Sequence, residues 1–157
     1  VEISETELKN NGKDNVKFMI SANKGEELKP LSKVASGGEL ARIMLSLKNV
    51  LNLSDGIDTV IFDEIDTGVS GDVAGRMGEM MAEMAKDIQV ITISHLPQIA
   101  ARGGQHFKVF KHDTDDATVT QIVELSVEER ELEIAEMLSG KNPSEAAISA
   151  ARELLGK

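Results

Sequence analysis

At 157 residues with 41% hydrophobic side chains, the chain is long enough for one domain with a real core and too apolar for a disordered one. A formal net charge of −10 excludes a generally basic nucleic-acid-binding surface as its main feature, though not a local basic patch or a partner that holds the nucleic acid. The absence of cysteine excludes disulfides and thiolate metal sites and fits a reducing compartment, and with no Trp, no Tyr and 3% aromatic residues a stacking platform for single strands is not expected. No stretch approaches the roughly 18 apolar residues of a membrane span, and no signal peptide opens the chain. Valine, not an initiator Met, stands at position 1, so a piece of a longer protein is expected.

In chain order, residues 1–22 read as a hairpin. Asn11-Gly12 is a turn dipeptide, and residues 16–20 alternate as a half-buried strand does. Residues 23–35, with Asn23, Gly25 and Pro30, read as a loop pinned to the body by Leu28, Leu31 and Val34. Ser36-Gly37-Gly38-Glu39 then opens a helix whose Leu40, Ile43, Met44, Leu47 and Leu51 give it one apolar face. Ser36 and Glu39 fit a capping box, a purely structural role. Capping leaves Gly37 and Gly38 unexplained, since each costs the first turn up to about 1 kcal/mol relative to Ala. Two glycines leave the backbone N–H groups bare at the positive helix end, so phosphate recognition is the better reading.

The run 59–62 is continuously apolar after its first residue and ends in two adjacent carboxylates, Asp63 and Glu64. Such a run reads as a strand buried on both faces in a parallel sheet, and open α/β sheets bind ligands at the carboxyl edge of such strands. The plainer alternative is a solvated strand end. A polar loop, 66–70, leads to a helix over 72–85 whose Met77, Met80, Met81 and Met84 share one face and read as core. Residues 88–94 form a second β-branched strand ending in Ser94-His95. Strand, helix and strand at this length make a right-handed βαβ unit, which places Asp63, Glu64 and His95 on one sheet edge. A short helix starts at Pro97, and 105–111 with 117–125 read as a hairpin at the edge of the sheet. Ser126 and Glu129 cap a helix that ends at Gly140, and Asn142-Pro143-Ser144-Glu145 starts another, with Asn142 as its N-cap.

The three elements suit nucleotide phosphate chemistry. Asp63 can hold Mg²⁺ through water, Glu64 can orient or deprotonate an attacking water, and His95 can hydrogen-bond a terminal phosphate or that water. At this point the chain resembles the ATP-binding-cassette ATPases, specifically the head domains of the SMC-like branch. Residues 36–39 match the signature motif, 60–64 match Walker B, 66–68 the D-loop, and His95 the switch histidine. The runs 21–26, 34–40, 61–71 and 94–98 narrow the resemblance to the bacterial recombination and DNA-repair members of that branch, over nearly the whole chain.

The resemblance implies an α/β fold, a partial P-loop NTPase: the C-terminal lobe of an ABC-type head over residues 1–157, with a mostly parallel sheet flanked by helices and an edge hairpin. It implies an ATPase in recombinational repair of DNA double-strand breaks, with ATP and Mg²⁺ sandwiched between two heads. Ser36, Gly37, Gly38 and Glu39 would then bind the nucleotide of the opposite head, and Asp66 would lie at the dimer interface. Asp63 would support Mg²⁺, Glu64 would be the catalytic base, and His95 would contact the γ-phosphate. The implied partners are an N-terminal P-loop lobe of the same protein, a second head, and DNA through the full-length protein. The implied location is cytoplasmic and nucleoid-associated, with no membrane.

No G-x-x-x-x-G-K-[ST] occurs, and Gly103-Gly104 is followed by Gln105, not Lys. Nor is there a heptad stretch long enough for the coiled coil that joins the two lobes in this family. The chain is therefore expected to be one half of a split head, inactive or nearly so alone. A non-enzymatic partner-binding domain with a degenerate ABC fold is the alternative, against which stand Glu64 and His95. A self-contained Mg²⁺-dependent phosphoesterase using Asp63, Glu64 and His95 is a third reading, and it predicts cleavage without a partner. Lys29, Lys33, Arg42, Lys48, Arg102, Lys108 and Lys111 are scattered and form no evident basic patch.

Overall fold

The computed structural model describes residues 1–21, 24–34, 37–50, 57–113 and 118–157. A turn at Asn10-Asn11 closes an antiparallel hairpin of β1 (Glu2–Lys9) and β2 (Gly12–Lys17), with Glu2 opposite Lys17 and Ile3 opposite Val16. The hairpin is as the sequence reads, but its burial is not. Every residue of both strands is exposed, Ile3, Leu8 and Val16 included, because the two strands pair with each other and lay neither face on the core. Nor does the second strand run on through Phe18. Instead β3 (Met19–Ile20) pairs with β4 (Lys29–Pro30), and α1 (Leu31–Val34) adds a single turn, fixed by Leu31 N–H donating to Phe18 O at 2.8 Å. So part of the expected loop is paired. Leu31 is half-buried, whereas Leu28 is exposed and pins nothing.

Helix α2 (Gly37–Val50) starts where the glycine pair predicts, but it is turned about its axis from the expected face. Among its described side chains Leu45 is the buried one, with Ala41 one turn earlier packed against the same core. Leu40, Met44 and Leu47 stay 42–46% exposed. Leu51 lies outside the described residues.

β5 (Thr59–Asp63) and β6 (Gln89–Ile93) pair in parallel, Thr59 opposite Gln89 and Asp63 opposite Ile93, joined through α3 (Gly71–Met84). Only one face of this pair is covered. Phe62 is buried and Val60 and Val90 are packed there with Leu45, Ile65, Met77, Met81, Met84 and Ile99. On the other face Ile61, Ile91 and Ile93 are 63%, 43% and 54% exposed, so the apolar run is one-sided and not doubly buried. The methionines of α3 are core, as their spacing predicts. Helix α4 (Pro97–Ala100) packs on α3 across Gly78, where a Cβ would stand 2.9 Å from Arg102 Cγ and 3.1 Å from Gln98 O.

β7 (Phe107–Asp113) and β8 (Thr118–Glu124) form an antiparallel hairpin around residues 114–117, which lie outside the described residues. Among the described residues they pair only with each other, so the hairpin is not an edge of the β5–β6 sheet and the parallel part of this α/β lobe is confined to β5 and β6. Helix α5 (Val127–Ser139) carries the expected Ser126–Glu129 capping box and stops at Gly140. Helix α6 (Glu145–Leu154) is capped by Ser144, whose Oγ accepts the Ala147 N–H at 3.3 Å. Asn142 is not the cap; it takes a left-handed φ of 61° two residues earlier. Ala101, Ile134, Ala135 and Ala151 make a second core between α5, α6 and the end of α4. Arg130 of α5 ties this core to α4, donating to the carbonyls of Ala101 at 2.8 Å, Ala100 and Gly104 at 3.4 Å, and Gly103. No described helix is long and apolar enough to cross a membrane.

His106 precedes β7, half-buried, and its Nδ1 is buried with no hydrogen-bond partner among the described residues. Burial first, and then the positive charge of Arg130, lowers its pKa from the ordinary 6.5. With the folded value lowered, the unfolded chain takes up the proton first. The stability this group contributes is whole above pH 6.5 and is lost as pH falls through the folded value. Denaturant unfolding from about pH 7.5 to about pH 5 should therefore show wild type losing stability faster than His106→Gln; a difference between the two that does not change with pH would rule this out.

Candidate functional site

β5 ends at Asp63, and the Glu64 N–H adds one more bond to the ladder, donating to Ile93 O at 3.1 Å. The chain then turns sharply. Glu64 sits at φ 48°, in the left-handed region that non-glycine residues seldom adopt, at a cost on the order of 1 kcal/mol. The turn is held from the far side. Thr67 donates to Glu64 O through its N–H at 3.3 Å and its Oγ at 3.0 Å, and the Val69 N–H donates to Asp66 O at 3.0 Å. Asp63 and Glu64 are both exposed at the strand tip, and neither carboxylate is engaged by another described residue. Among the described residues no ion pair or packing at Glu64 offsets the strain, and the glutamate is exposed at the sheet edge.

β6 delivers Ser94 and His95 beside it. The buried residue of the site is Asp66, 0% exposed. Its Oδ2 accepts a hydrogen bond from Ser94 Oγ at 2.5 Å and one from the His95 backbone N–H at 3.2 Å. The His95 Nδ1 stands 3.4 Å from the same oxygen, while the rest of the ring is in solvent at 67% exposure. Ser94 Oγ accepts in turn from the Leu96 N–H at 3.0 Å. The resemblance implies a dimer-interface place for Asp66; within this chain its side chain is buried. Thr67 and Gly68 are the exposed residues of that loop. Nothing in the sequence marks this burial, since an aspartate in a polar loop is ordinarily solvated.

The start of α2 lies against the same loop. A Cβ on Gly38 would stand 3.2 Å from Thr67 O and 3.1 Å from Arg42 Nη1, and Arg42 itself donates to Thr67 O at 3.3 Å. Close packing therefore accounts for Gly38 independently of any phosphate. Gly37 is the first residue of the helix, Glu39 is half-buried in its first turn, and Ser36 lies outside the described residues. The structure thus gathers Asp63, Glu64, Asp66 and His95 at one edge and sets the α2 N-terminus beside it. Among the described residues no group of three or more His, Cys, Asp or Glu is placed to hold a metal. Of the scattered basic residues, Arg42 is taken up by Thr67, Arg102 pairs with Glu79 at 3.3 Å, and Lys108 pairs with Glu133 and Glu136.

If Glu64 is held in a strained backbone for reasons other than folding, glycine should relieve the strain. Glu64→Gly is expected to raise unfolding free energy by about 1 kcal/mol over Glu64→Ala, which keeps the Cβ. Equal stabilities in a denaturant titration would mean that the turn carries no strain.

No protein-family model matches the chain. Among curated proteins, it is 45% identical over 148 residues to the DNA repair protein RecN of Halalkalibacterium halodurans, covering 94% of this chain and 26% of that protein. It is 50% identical over 146 residues to the DNA repair protein RecN of Deinococcus radiodurans, with 92% and 25% covered. The chain spans about a quarter of the length of these relatives. Among solved structures, an SMC head domain with a coiled coil and joint from Pyrococcus yayanosii matches its fold with a TM-score of 0.64 at 22% identity, over 84% of this chain and 25% of that one. The chain is accordingly a homologue of the RecN DNA repair proteins, matched along nearly all of its own length, and it has the fold of part of an SMC head.

Proposed function

We propose that this chain is the C-terminal lobe of an SMC-like ATPase head that works, within a longer protein, in recombinational repair of DNA double-strand breaks. The observation that carries the reading is the convergence of Asp63, Glu64 and His95 on one edge of a parallel strand pair, with the α2 N-terminus against the loop after Glu64. On this reading the exposed, unengaged Glu64 carboxylate is the base that takes a proton from the attacking water, and His95 orients that water or the terminal phosphate. Ser36, Gly37, Gly38 and Glu39 offer backbone N–H groups to the γ-phosphate of ATP held by an opposing head. The 66–68 loop faces that head through Thr67 and Gly68. A domain that only bound a partner would have no use for a strained, exposed glutamate.

The donor set fits Mg²⁺. Two exposed, adjacent carboxylates with no third acidic ligand among the described residues suit an ion that keeps several waters and takes the rest of its shell from phosphates. Asp63 would hold it, and the ion would supply neutralisation of the phosphate charge. An N-terminal P-loop lobe is the partner that the uncovered side of the strands calls for, since Ile61, Ile91 and Ile93 line up on the bare face of the β5–β6 pair. DNA would be met through the full-length protein, in keeping with the use of Arg42, Arg102 and Lys108 inside this chain, and the place of action would be the cytoplasm at the nucleoid.

The test is Mg²⁺-ATP hydrolysis by the chain alone and mixed with its separately expressed N-terminal lobe. Turnover should appear only in the mixture, and Glu64→Gln should lower it by about 10²-fold or more. Turnover by the isolated, pure chain would overturn the split-head reading.

A further inference from the structure

We infer that Asp66 is the positioning residue of His95. It would fix the ring as the Nδ1–H tautomer and so make Nε2 the acceptor at the site. This rests on the ATPase reading only for its consequence, since the coupling itself is a property of this chain. Two donors bond to one carboxylate oxygen, and a ring nitrogen stands close to the same oxygen. Ser94 Oγ and the His95 N–H bond to Asp66 Oδ2, and His95 Nδ1 is 3.4 Å from it. The carboxylate is fully buried, so water does not compete for that oxygen. Ser94 is itself fixed by the Leu96 N–H, which keeps the turn after β6 from swinging the ring away.

A neutral imidazole carries one proton, and the nitrogen facing a carboxylate that can only accept is the one that keeps it. The other nitrogen, Nε2, then presents a lone pair toward solvent. An acceptor there takes a hydrogen bond from a group that bears a proton, which an attacking water does and an ionised phosphate oxygen does not. Neutral His95 is thereby assigned to orienting the water, together with Glu64, and not to holding the γ-phosphate. The Asp66 carboxylate also links the two loops that carry these residues, because it leaves β5 three residues after Asp63 and grips the first residues after β6.

The test needs no nucleotide. The chain has three histidines, so ¹⁵N-histidine labelling with His106→Gln and His112→Gln assigns their ring signals. Above the pH range in which histidine is charged, the His95 ring should show the Nδ1–H pattern, and Asp66→Ala should return it to the Nε2–H form that free imidazole favours. Ser94→Ala, which keeps the carboxylate, should leave the Nδ1–H form in place. An Nε2–H ring in the wild-type chain overturns the inference with no variant required, so a misfolded Asp66→Ala cannot shelter it. Nε2–H in a head that hydrolyses ATP would sink this inference alone. Nδ1–H in a two-lobe head without ATP turnover would sink the ATPase reading and leave the Asp66–His95 coupling standing.

Discussion

The in-register parallel pairing of β5 with β6 is the constraint on which the rest of the site depends. Parallel strands leave a sheet at the same edge, so the pairing of Asp63 with Ile93 brings the residues beyond each strand within reach of one another. The extra ladder bond from Glu64 to Ile93 locks that register at the tip. A slip of one residue would turn Phe62 and Val60 outward and expose the side that now buries against α3. The methionine face of α3 therefore fixes the register, and the register in turn fixes the geometry of the carboxylates and the histidine.

Two energetic costs sit side by side at that edge, and they are of different kinds. Glu64 bears a backbone strain with no packing or ion pair of its own among the described residues to offset it. Asp66 is a carboxylate taken wholly out of water, and it is made tolerable by a serine hydroxyl and a backbone N–H. One oxygen of Asp66, in the turn, and the hydroxyl of Thr92, in β6, are buried without a hydrogen-bond partner among the described residues. Local conflict of this sort, inside a lobe whose caps and core obey the ordinary rules, is where sequences depart from optimal folding for other reasons.

Much of the lobe is legible in its residues, for physical reasons that differ by element. Period and caps speak locally, so α3 with its methionine stripe, the Ser126–Glu129 box and the Pro97 start all fall where the residues put them. Orientation is a tertiary property. The spacing of Leu40, Ile43, Met44 and Leu47 identifies an amphipathic helix, yet among its described side chains Leu45 is the one that α2 buries, because the helix is rotated to lay Ala41 and Leu45 on the core. The apolar run at β5 likewise signals a buried strand but not how many faces are covered. Topology alone suffices to place Asp63, Glu64 and His95 on one edge. It does not suffice for the inward turn of Asp66 or the left-handed backbone of Glu64, because both arise from how the 64–68 loop folds back on Ser94.

The bare face of the β5–β6 pair has a thermodynamic consequence. Apolar surface held in water is worth about 25 cal/mol per Å² when something covers it. Any surface that seats on Ile61, Ile91 and Ile93 binds the folded chain and not the unfolded one, so folding and assembly become a single linked equilibrium. The melting temperature of such a chain is then not a constant of its sequence. It rises with the concentration of whatever closes the sheet.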